Sequence, residues 1–439
     1  MRVSEEALLW TCTSRGIVLH ADPNVRRVHI IGAGLAGLSA ALVLAETGAK
    51  VTIYEAGPAA GGRCRSYYDR TLGLSIDNGN HLLLSGNTAT MRLLERTGAR
   101  STLIGPPVPL FPFIDLHTRQ RWTLRPNMGR VPWWILNAAR RVPATSVADY
   151  LPLLSLPWRR GDATVAASFV PNQLYRRLLE PLAIAALNTP PSEGLARLLG
   201  AVVRETLGRG GAACIPLLPR EELSQSLIDP AVERVRNLGA DFRPSSRISR
   251  LDFAAAADRV SALHGPDGPI PLGPDESVVL AVPPWVATEL LPGLTAPDEF
   301  QAILNIHFRI DAARGETGFI GLIGGNAEWV FVKPGHVSVT ISAANRMVDQ
   351  SAEAIAGAVW PDVCLALSLP ATPMPIFRVV KERRATFAAT AAQERRRPGP
   401  ATKLANLVLA GDWTATGLPA TIEGAIRSGE RAAALLLRT

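Results

Sequence analysis

Residues 27–55 decide the fold: they read RVHIIGAGLAGLSAALVLAETGAKVTIYE. The apolar run 28–31 is typical of a buried strand, and apolar residues then recur at helical spacing until Gly48 ends the helix. A second apolar run, 51–54, predicts a second strand that Glu55 closes. A strand, a helix and a strand in so short a stretch predict the βαβ unit of a doubly wound α/β domain.

The turn between the first strand and the helix carries the spacing GxGxxG at Gly32, Gly34 and Gly37. The first glycine permits a tight turn, the second lets the backbone approach a pyrophosphate, and the third lets the helix pack closely on the strand. The helix that starts at Leu35 and Ala36 offers free amides and a positive dipole end to phosphate groups. These features predict a dinucleotide-binding turn.

Glu55 lies about 20 residues further on, at the end of the second strand. An acidic side chain at that place binds the ribose hydroxyls of an ADP moiety, and it argues against a 2′-phosphate. The GxGxxG spacing alone is a weak signal, and a glycine turn without a ligand is the alternative. The complete strand, helix and acid context favours the dinucleotide site.

The composition bounds the class of protein. The chain has 439 residues, 47% of them hydrophobic and 19% charged, which predicts at least two folded domains. The net charge of +8 comes from scattered basic residues without interleaved aromatics, so we expect no nucleic-acid partner and favour attraction to an anionic membrane surface. Four separated cysteines predict no metal site, and Glu5 with Glu6 argues for a cytoplasmic protein.

The order of elements predicts a discontinuous architecture. Strand–helix alternation is interrupted by proline-broken segments and helices after residue 100, and it returns near residue 241. We therefore predict an α/β domain with an α+β lobe inserted. The predicted parts are an N-terminal extension at 1–25, a nucleotide domain at 26–100, 215–295 and 400–439, and a substrate domain at 101–214 and 296–399.

Two further motifs carry a family resemblance. Gly61-Gly62-Arg63 follows the second strand, and Gly411-Asp412 follows the last one. Both resemble the amine oxidase and phytoene desaturase superfamily of flavoproteins. The resemblance implies a Rossmann-like domain of the amine oxidase type that binds FAD. Because no cysteine lies near Gly411, the FAD would be held non-covalently.

The resemblance also implies roles for single residues. Arg63 would neutralise a phosphate, and Asp412 would bond the ribityl chain. The amides of Thr421 and Ile422, at the start of the last helix, would stabilise negative charge on the flavin pyrimidine. The backbone of Ile248 would contact the adenine.

Within that superfamily the chain resembles the hydroxysqualene dehydroxylase family of bacterial hopanoid synthesis, from about Val28 onwards. The family often has Gln where Asn80 stands. The motifs that carry this resemblance are DNGNHLLL at 77–84, LNTPP at 187–191, LPR at 218–220, DPA at 229–231 and GDWT at 411–414.

This family resemblance implies a reductive dehydroxylation, in which hydroxysqualene and FADH2 give squalene, FAD and water. Gly79 and Asn80 would lie beside the flavin. His81 would donate the proton to the departing hydroxyl, or it would only pack against the flavin edge. Asn188 and Trp329 would line the substrate pocket, and a turn-forming role is the alternative for Asn188.

The C30 substrate and product are nearly insoluble in water, so we expect the protein at the inner face of the cytoplasmic membrane. Residues 131–160 combine tryptophans and aliphatic residues with arginines, which predicts a membrane-contact patch. A lobe helix with core tryptophans is the alternative. Other enzymes of squalene and hopanoid synthesis are candidate partners.

Two other functions stay open on the sequence. A carotenoid or phytoene desaturase, or a flavin amine oxidase, would use the same cofactor site with hydride flowing to the flavin. A non-catalytic dinucleotide-binding lipid carrier would use the site without any turnover.

Overall fold

The computed structural model describes residues 27–370 and 373–438, so the expected extension at 1–25 lies outside the described residues. Short 3₁₀ and π turns link the regular elements. The strands, in chain order, are β1 (Arg27–Ile31), β2 (Lys50–Tyr54), β3 (Ser66–Asp69), β4 (Leu74–Asp77), β5 (Leu83–Leu84), β6 (Leu103–Ile104), β7 (Phe111–Asp115), β8 (Arg121–Leu124), β9 (Pro216–Pro219), β10 (Asp241–Arg243), β11 (Arg250–Phe253), β12 (Val260–Gly265), β13 (Gly268–Pro271), β14 (Glu276–Leu280), β15 (Phe300–Phe308), β16 (Phe319–Ile323), β17 (Trp329–Lys333), β18 (His336–Ile341), β19 (Phe377–Phe387) and β20 (Leu407–Leu409). The α-helices are α1 (Leu35–Glu46), α2 (Thr88–Arg96), α3 (Val147–Ser155), α4 (Val165–Ser168), α5 (Glu180–Leu187), α6 (Ala196–Glu205), α7 (Asp229–Asn237), α8 (Pro284–Leu290), α9 (Ala352–Leu367), α10 (Ala391–Arg395) and α11 (Ile422–Leu436).

A five-stranded parallel sheet has the order β10-β2-β1-β14-β20. Its strands come from three distant parts of the chain, and β1 lies at its centre. Helices α1, α2, α7 and α11 pack on one face, and the antiparallel sheet β11-β12-β13 with α8 contributes to the core on the other. Parallel strands buried on both faces explain why the first strand is an unbroken apolar run.

The first and last helices of this domain touch directly. A Cβ atom added to Gly429 of α11 would lie only 2.1 Å from the carbonyl oxygen of Ala36 in α1. The hydroxyl of Ser39 donates to the carbonyl of Ile426 at 3.0 Å. The small residues on both helices therefore bring the two backbones together.

A mixed seven-stranded sheet has the order β19-β15-β18-β17-β16-β7-β8. One face carries apolar side chains of β15, β17 and β18 that pack against α9. The opposite face, here called the inner face, carries Asn305 and His307 of β15 and Ser338 and Thr340 of β18. Since side chains alternate along a strand, this face is set by the same register that buries the apolar side chains against α9.

A helical lobe, α3 to α6, forms a separate apolar cluster. The stretch 173–187 is rich in Leu and Ala, which predicts one helix, but residues Tyr175–Leu179 form a π turn ahead of α5. Pro181 lies at the start of α5 and has no N–H to bond the carbonyl four residues earlier, which explains the wide turn. Among the described residues, no helix combines the length and apolar character that crossing a membrane requires.

Candidate functional site

The glycine turn after β1 lies at the carboxyl end of the parallel sheet. Gly32 has φ of 104°, and a Cβ there would approach the carbonyl of Ala281 to 2.5 Å. A Cβ on Gly37 would lie 2.0 Å from the Gly32 carbonyl. A Cβ on Gly34 would meet no atom within 4 Å. The turn is thus packed against the protein at Gly32 and Gly37 and is open at Gly34.

Glu55 lies beside this turn and already orients it. Its carboxylate accepts a hydrogen bond from the Ala33 amide and another from the Gly57 amide, each at 2.8 Å. The segment leading to Ile248 joins from the other side, where the Ser246 amide donates to the Glu55 carbonyl at 2.7 Å. Ile248 is buried and lies two residues before the start of β11.

The second glycine motif faces the first. The Gly61 amide donates to the Ala33 carbonyl at 2.9 Å. Gly61 and Gly62 have φ of 112° and 56°, and the nearest atom to a Cβ on Gly62 would be the Cα of Gly34 at 3.7 Å. Side chains at positions 34 and 62 would fill the space between the two turns. Because both residues are glycine, that space stays open to a ligand.

The two ends of the chain meet at Arg63 and Asp412. Arg63 Nη2 lies 2.7 Å from Asp412 Oδ1, and Arg63 also donates to the Ala385 carbonyl. Burial opposes the charge on Arg63, but the Asp412 carboxylate outweighs it and raises the pKa of Arg63. The second oxygen of Asp412 is left for another donor. The expected meeting of the two chain ends is therefore observed.

The loop that carries Asp412 is pinned by Arg397, a residue that sequence reasoning missed. The guanidinium is fully buried, and it donates to the carbonyls of Asp412, Thr414 and Leu418 and to the hydroxyl of Thr416. Arg397 stands 15 residues before Asp412 in no recognisable motif, and only the fold brings it to the loop.

The last helix points its start towards the same cleft. Gly411 is held by its amide, which donates to Ser428 Oγ of α11 at 2.9 Å. Thr421 caps α11, since its hydroxyl accepts from the Gly424 amide at 3.0 Å, and Ile422 is the first helical residue. The cap satisfies one of the free amides at this end, and the others remain available to an anion.

The segment 77–81 leads from the end of β4, in the two-stranded sheet β3-β4, to the inner face of the seven-stranded sheet. Asp77 pairs with Lys333 of β17 and accepts from the Leu223 amide at 2.8 Å. Although burial opposes ionisation, Lys333 and these hydrogen bonds lower the pKa of Asp77. Desolvation lowers the pKa of His81 to about 4, so its imidazole is neutral near pH 7.

An aromatic wall, defined as Phe319, Trp329 and Phe331, stands on the inner face beside the segment 77–81. Ring centroids are 6.2 Å apart between Phe319 and Phe331 and 6.1 Å apart between Phe319 and Trp329. Leu82, next to His81, packs against this cluster. Trp329 thus belongs to an apolar cluster on the inner face, and its role in lining the substrate pocket stays a prediction.

Asn188 is placed differently. It ends α5 in the left-handed conformation, with φ of 47°. Its amide donates to the Gln301 carbonyl and to Thr386 Oγ1, and its carbonyl oxygen accepts from the Ala343 amide. All its polar atoms are engaged with the protein. These contacts favour the turn-forming alternative, with Asn188 fastening the lobe to the seven-stranded sheet.

The fold and this cleft define an oxidoreductase that binds a dinucleotide. The family model described as flavin containing amine oxidoreductase matches residues 35–310 and 331–437. Because a flavin joined to an ADP moiety is FAD, the cofactor is FAD. The open backbone between Gly34 and Gly62, the carboxylate of Glu55 and the start of α11 fit its pyrophosphate, ribose and pyrimidine.

The chain is similar to two hydroxysqualene dehydroxylases. The enzyme of Sinorhizobium fredii is 49% identical over 94% of this chain. The enzyme of Zymomonas mobilis is 44% identical over 93% of this chain. The alignment covers 98% of each relative. An oxidoreductase from Methanosarcina mazei shares the fold at a TM-score of 0.72 and 16% identity, over 92% of this chain and 99% of that one. The chain therefore belongs to the hydroxysqualene dehydroxylase family of the flavin-containing amine oxidoreductases.

Proposed function

We propose that this protein removes the hydroxyl group of hydroxysqualene and releases squalene and water. In the balanced reaction, the alcohol and FADH2 give squalene, FAD and water. The observation that carries this proposal is the 49% identity to a hydroxysqualene dehydroxylase over 98% of that relative. Such coverage includes the nucleotide cleft, the segment 77–81 and the aromatic wall together.

Bound FAD supplies the hydride that replaces the hydroxyl group. The chain contributes orientation and a dry surface: the aromatic wall accepts the hydrocarbon, and the segment 77–81 connects the wall to the cofactor cleft. His81 is our proposed proton source for the departing hydroxyl, because it lies on this segment between the two. Gly79 and Asn80 hold the segment at the edge of the cleft.

Product analysis tests the proposal directly. The protein is reduced chemically under anaerobic conditions and incubated with hydroxysqualene. We expect squalene to form in step with the return of the oxidised-flavin absorbance band. A desaturase or an amine oxidase would leave hydroxysqualene intact and would reduce its flavin with another substrate. A lipid carrier would leave both the alcohol and the flavin unchanged.

We further propose that the protein works at the inner face of the cytoplasmic membrane, where other enzymes of squalene and hopanoid synthesis handle the same insoluble chains. The membrane patch is defined as the exposed apolar side chains of Trp133, Leu136, Leu151, Trp158 and Val170. The first four lie on neighbouring turns, since α3 contacts both the 133–136 turn and the 156–158 turn. Trp158 and Val170 are 73% and 75% exposed.

The expected patch at 131–160 is thus divided. Trp134 and Ile135 are buried, and Trp134 packs edge-on against Tyr150 at a centroid distance of 5.4 Å. Arg140 and Arg141 donate to backbone carbonyls of the lobe. The exposed residues, with the cationic surface around them, suit the interface of an anionic bilayer.

Sedimentation with vesicles tests the membrane proposal. We expect binding to phosphatidylglycerol vesicles to exceed binding to phosphatidylcholine vesicles, and the variant Trp133→Ser/Trp158→Ser to bind at least tenfold more weakly, since each lost apolar side chain contributes roughly 1.5 kcal/mol or more. Ile376→Ser removes an exposed apolar residue outside the patch and serves as the control. Equal losses in both variants would count against the patch.

A further inference from the structure

The inner face of the seven-stranded sheet carries a buried polar strip, defined as Asn305, His307, Ser338 and Thr340. Asn305 pairs with Thr340 across β15 and β18, and His307 pairs with Ser338. Each of the four is at least nine-tenths buried. The side chain of Asn80 reaches this strip, and its Nδ2 lies 2.7 Å from Ser338 Oγ and 2.9 Å from Thr340 Oγ1.

Backbone groups fix the orientation of the Asn305 amide. Asn305 Nδ2 donates to the carbonyl of Asn78 at 3.2 Å, and Asn305 Oδ1 accepts from the backbone amide of Asn80 at 3.3 Å. A backbone N–H can only donate and a backbone carbonyl can only accept. Exchanging the oxygen and nitrogen of Asn305 would therefore lose both bonds.

This orientation then fixes the Asn80 amide. Thr340 Oγ1 must donate to Asn305 Oδ1, which lies 2.9 Å away, so Thr340 has only lone pairs to offer Asn80. Asn80 must consequently present Nδ2 to Thr340 and to Ser338. Ser338 Oγ, which accepts from Asn80, also forms a hydrogen bond with His307 Nδ1 at 3.0 Å, whose direction follows the imidazole tautomer. The amide nitrogen of Asn80 therefore donates into the strip.

One acceptor is left over. Asn80 Oδ1 is buried, and no residue in the described part of the chain donates to it. A buried amide oxygen without a donor is destabilising, and such groups in native proteins are commonly kept for a ligand. A molecule that binds at the inner face would supply this donor.

The surroundings indicate what that molecule is. The polar strip borders the aromatic wall directly, because Ser338 pairs with Phe331 and Thr340 pairs with Trp329. A ligand that fits both surfaces is a long apolar chain with a single hydrogen-bond donor. An isoprenoid alcohol has this chemistry, whereas the hydrocarbon product has no donor.

We propose that Asn80 Oδ1 accepts the hydrogen bond of the substrate hydroxyl and so distinguishes the alcohol from its hydrocarbon product. This inference rests on the proposed function and adds the residue that recognises the reacting group. It also gives product release a physical reason, because squalene leaves Asn80 Oδ1 without its donor. With the hydroxyl proton engaged by Asn80, the oxygen lone pairs stay free for the incoming proton.

The test compares the binding of hydroxysqualene and of squalene to the oxidised holoenzyme, which cannot turn the alcohol over. Binding in detergent micelles is followed by the change in flavin fluorescence. We expect the wild-type protein to bind the alcohol about tenfold more tightly than the hydrocarbon, as one neutral hydrogen bond provides. In Asn80→Leu this ratio should fall to about one, through weaker binding of the alcohol alone.

Two further variants keep the test decisive. Asn80→Gln retains both the amide donor and the amide acceptor, so it should keep the preference for the alcohol even if Asn80→Leu does not fold. Ser338→Ala removes a partner of the Asn80 amide nitrogen but leaves Oδ1 in place, so it should keep the preference as well. FAD content, measured in every variant, should stay at the wild-type level.

Several results would overturn the inference. An unchanged binding ratio in Asn80→Leu, or a lost preference in Asn80→Gln, would remove Asn80 as the acceptor. A loss of FAD from Asn80→Leu would assign Oδ1 to the cofactor. Equal weakening of both ligands would indicate a structural role only. If the wild-type protein forms squalene while its variants behave in any of these ways, this inference fails and the proposed function stands.

Discussion

At the scale of single residues, Glu55 combines two tasks. Its carboxylate holds the amides of Ala33 and Gly57 and stands next to the open backbone at Gly34. We expect Glu55→Ala to weaken FAD binding roughly tenfold to a hundredfold, because charged hydrogen bonds contribute about 1.5–3 kcal/mol. Flavin release on dilution measures this. Glu55→Gln keeps one acceptor oxygen, so its affinity for FAD should lie between those of the wild-type protein and Glu55→Ala. Full FAD retention in Glu55→Ala would remove Glu55 from the site.

His81 has a different signature, since it is neutral near pH 7. With a pKa of about 4, roughly one molecule in a thousand carries the imidazolium at pH 7. If His81 is the proton donor, the single-turnover rate of flavin reoxidation should rise about tenfold for each unit of acidification between pH 7 and 5. His81→Ala should abolish that rise. A rate that is independent of pH in the wild-type protein would exclude His81 from this role.

At the scale of elements, the contact between α1 and α11 joins the two halves of the cofactor site. We expect Gly429→Ala to lower the free energy of unfolding by about 1–3 kcal/mol and to weaken FAD binding, because the new methyl group would clash with the carbonyl of Ala36. Urea denaturation and flavin titration measure the two effects. Gly357→Ala, in the exposed part of α9, meets no atom within 4 Å and should instead stabilise by about 0.5–1 kcal/mol.

The sequence predicted those elements whose local signals agree with the packing that the fold imposes on them. The strands at 27–31 and 50–54, the helix between them and α11 each combine a periodic apolar pattern with a glycine or capping signal. The π turn before α5 differs from the predicted regular helix because Pro181 cannot donate one backbone hydrogen bond. The spacing of apolar residues does not predict such a loss.

The polar strip and Arg397 could not be predicted in this way. Asn305 and Thr340 stand 35 residues apart, and only the pairing of β15 with β18 brings them together. Arg397 resembles many surface arginines of this basic chain until the loop at Asp412 closes around it. Contacts of this kind arise from tertiary pairing, for which a single sequence carries no local signal.

At the scale of the whole molecule, buried imidazoles make stability depend on pH. Burial lowers the pKa of His29, and it lowers the pKa values of His81 and His336 to about 4 and that of His307 further. The unfolded chain binds protons at these groups below about pH 6.5, while the folded chain does not. Stability is therefore lost as the pH falls from 6.5 towards 4. Burial raises the pKa of Glu328 to about 7 and also raises the pKa values of Glu180, Glu222 and Asp229, and these carboxyl groups act in the opposite direction.

We expect the free energy of unfolding to fall by several kcal/mol between pH 7 and 5, since each strongly shifted imidazole contributes about 2 kcal/mol over that range. Urea midpoints at the two pH values measure the change. His336→Asn should reduce the difference, while His117→Asn, at an exposed position, should leave it unchanged. Equal stability at pH 7 and 5 would contradict the account.

The meeting of Arg63 with Asp412 has a consequence for biosynthesis. The ribosome adds roughly 5–20 residues per second, so on the order of tens of seconds separate the emergence of the first glycine turn from that of α11. Throughout that interval the nascent chain has only the N-terminal part of the FAD site and cannot enclose the flavin. Enclosure of FAD therefore has to wait until α11 has been synthesised, and a cell short of the vitamin precursor would accumulate colourless protein.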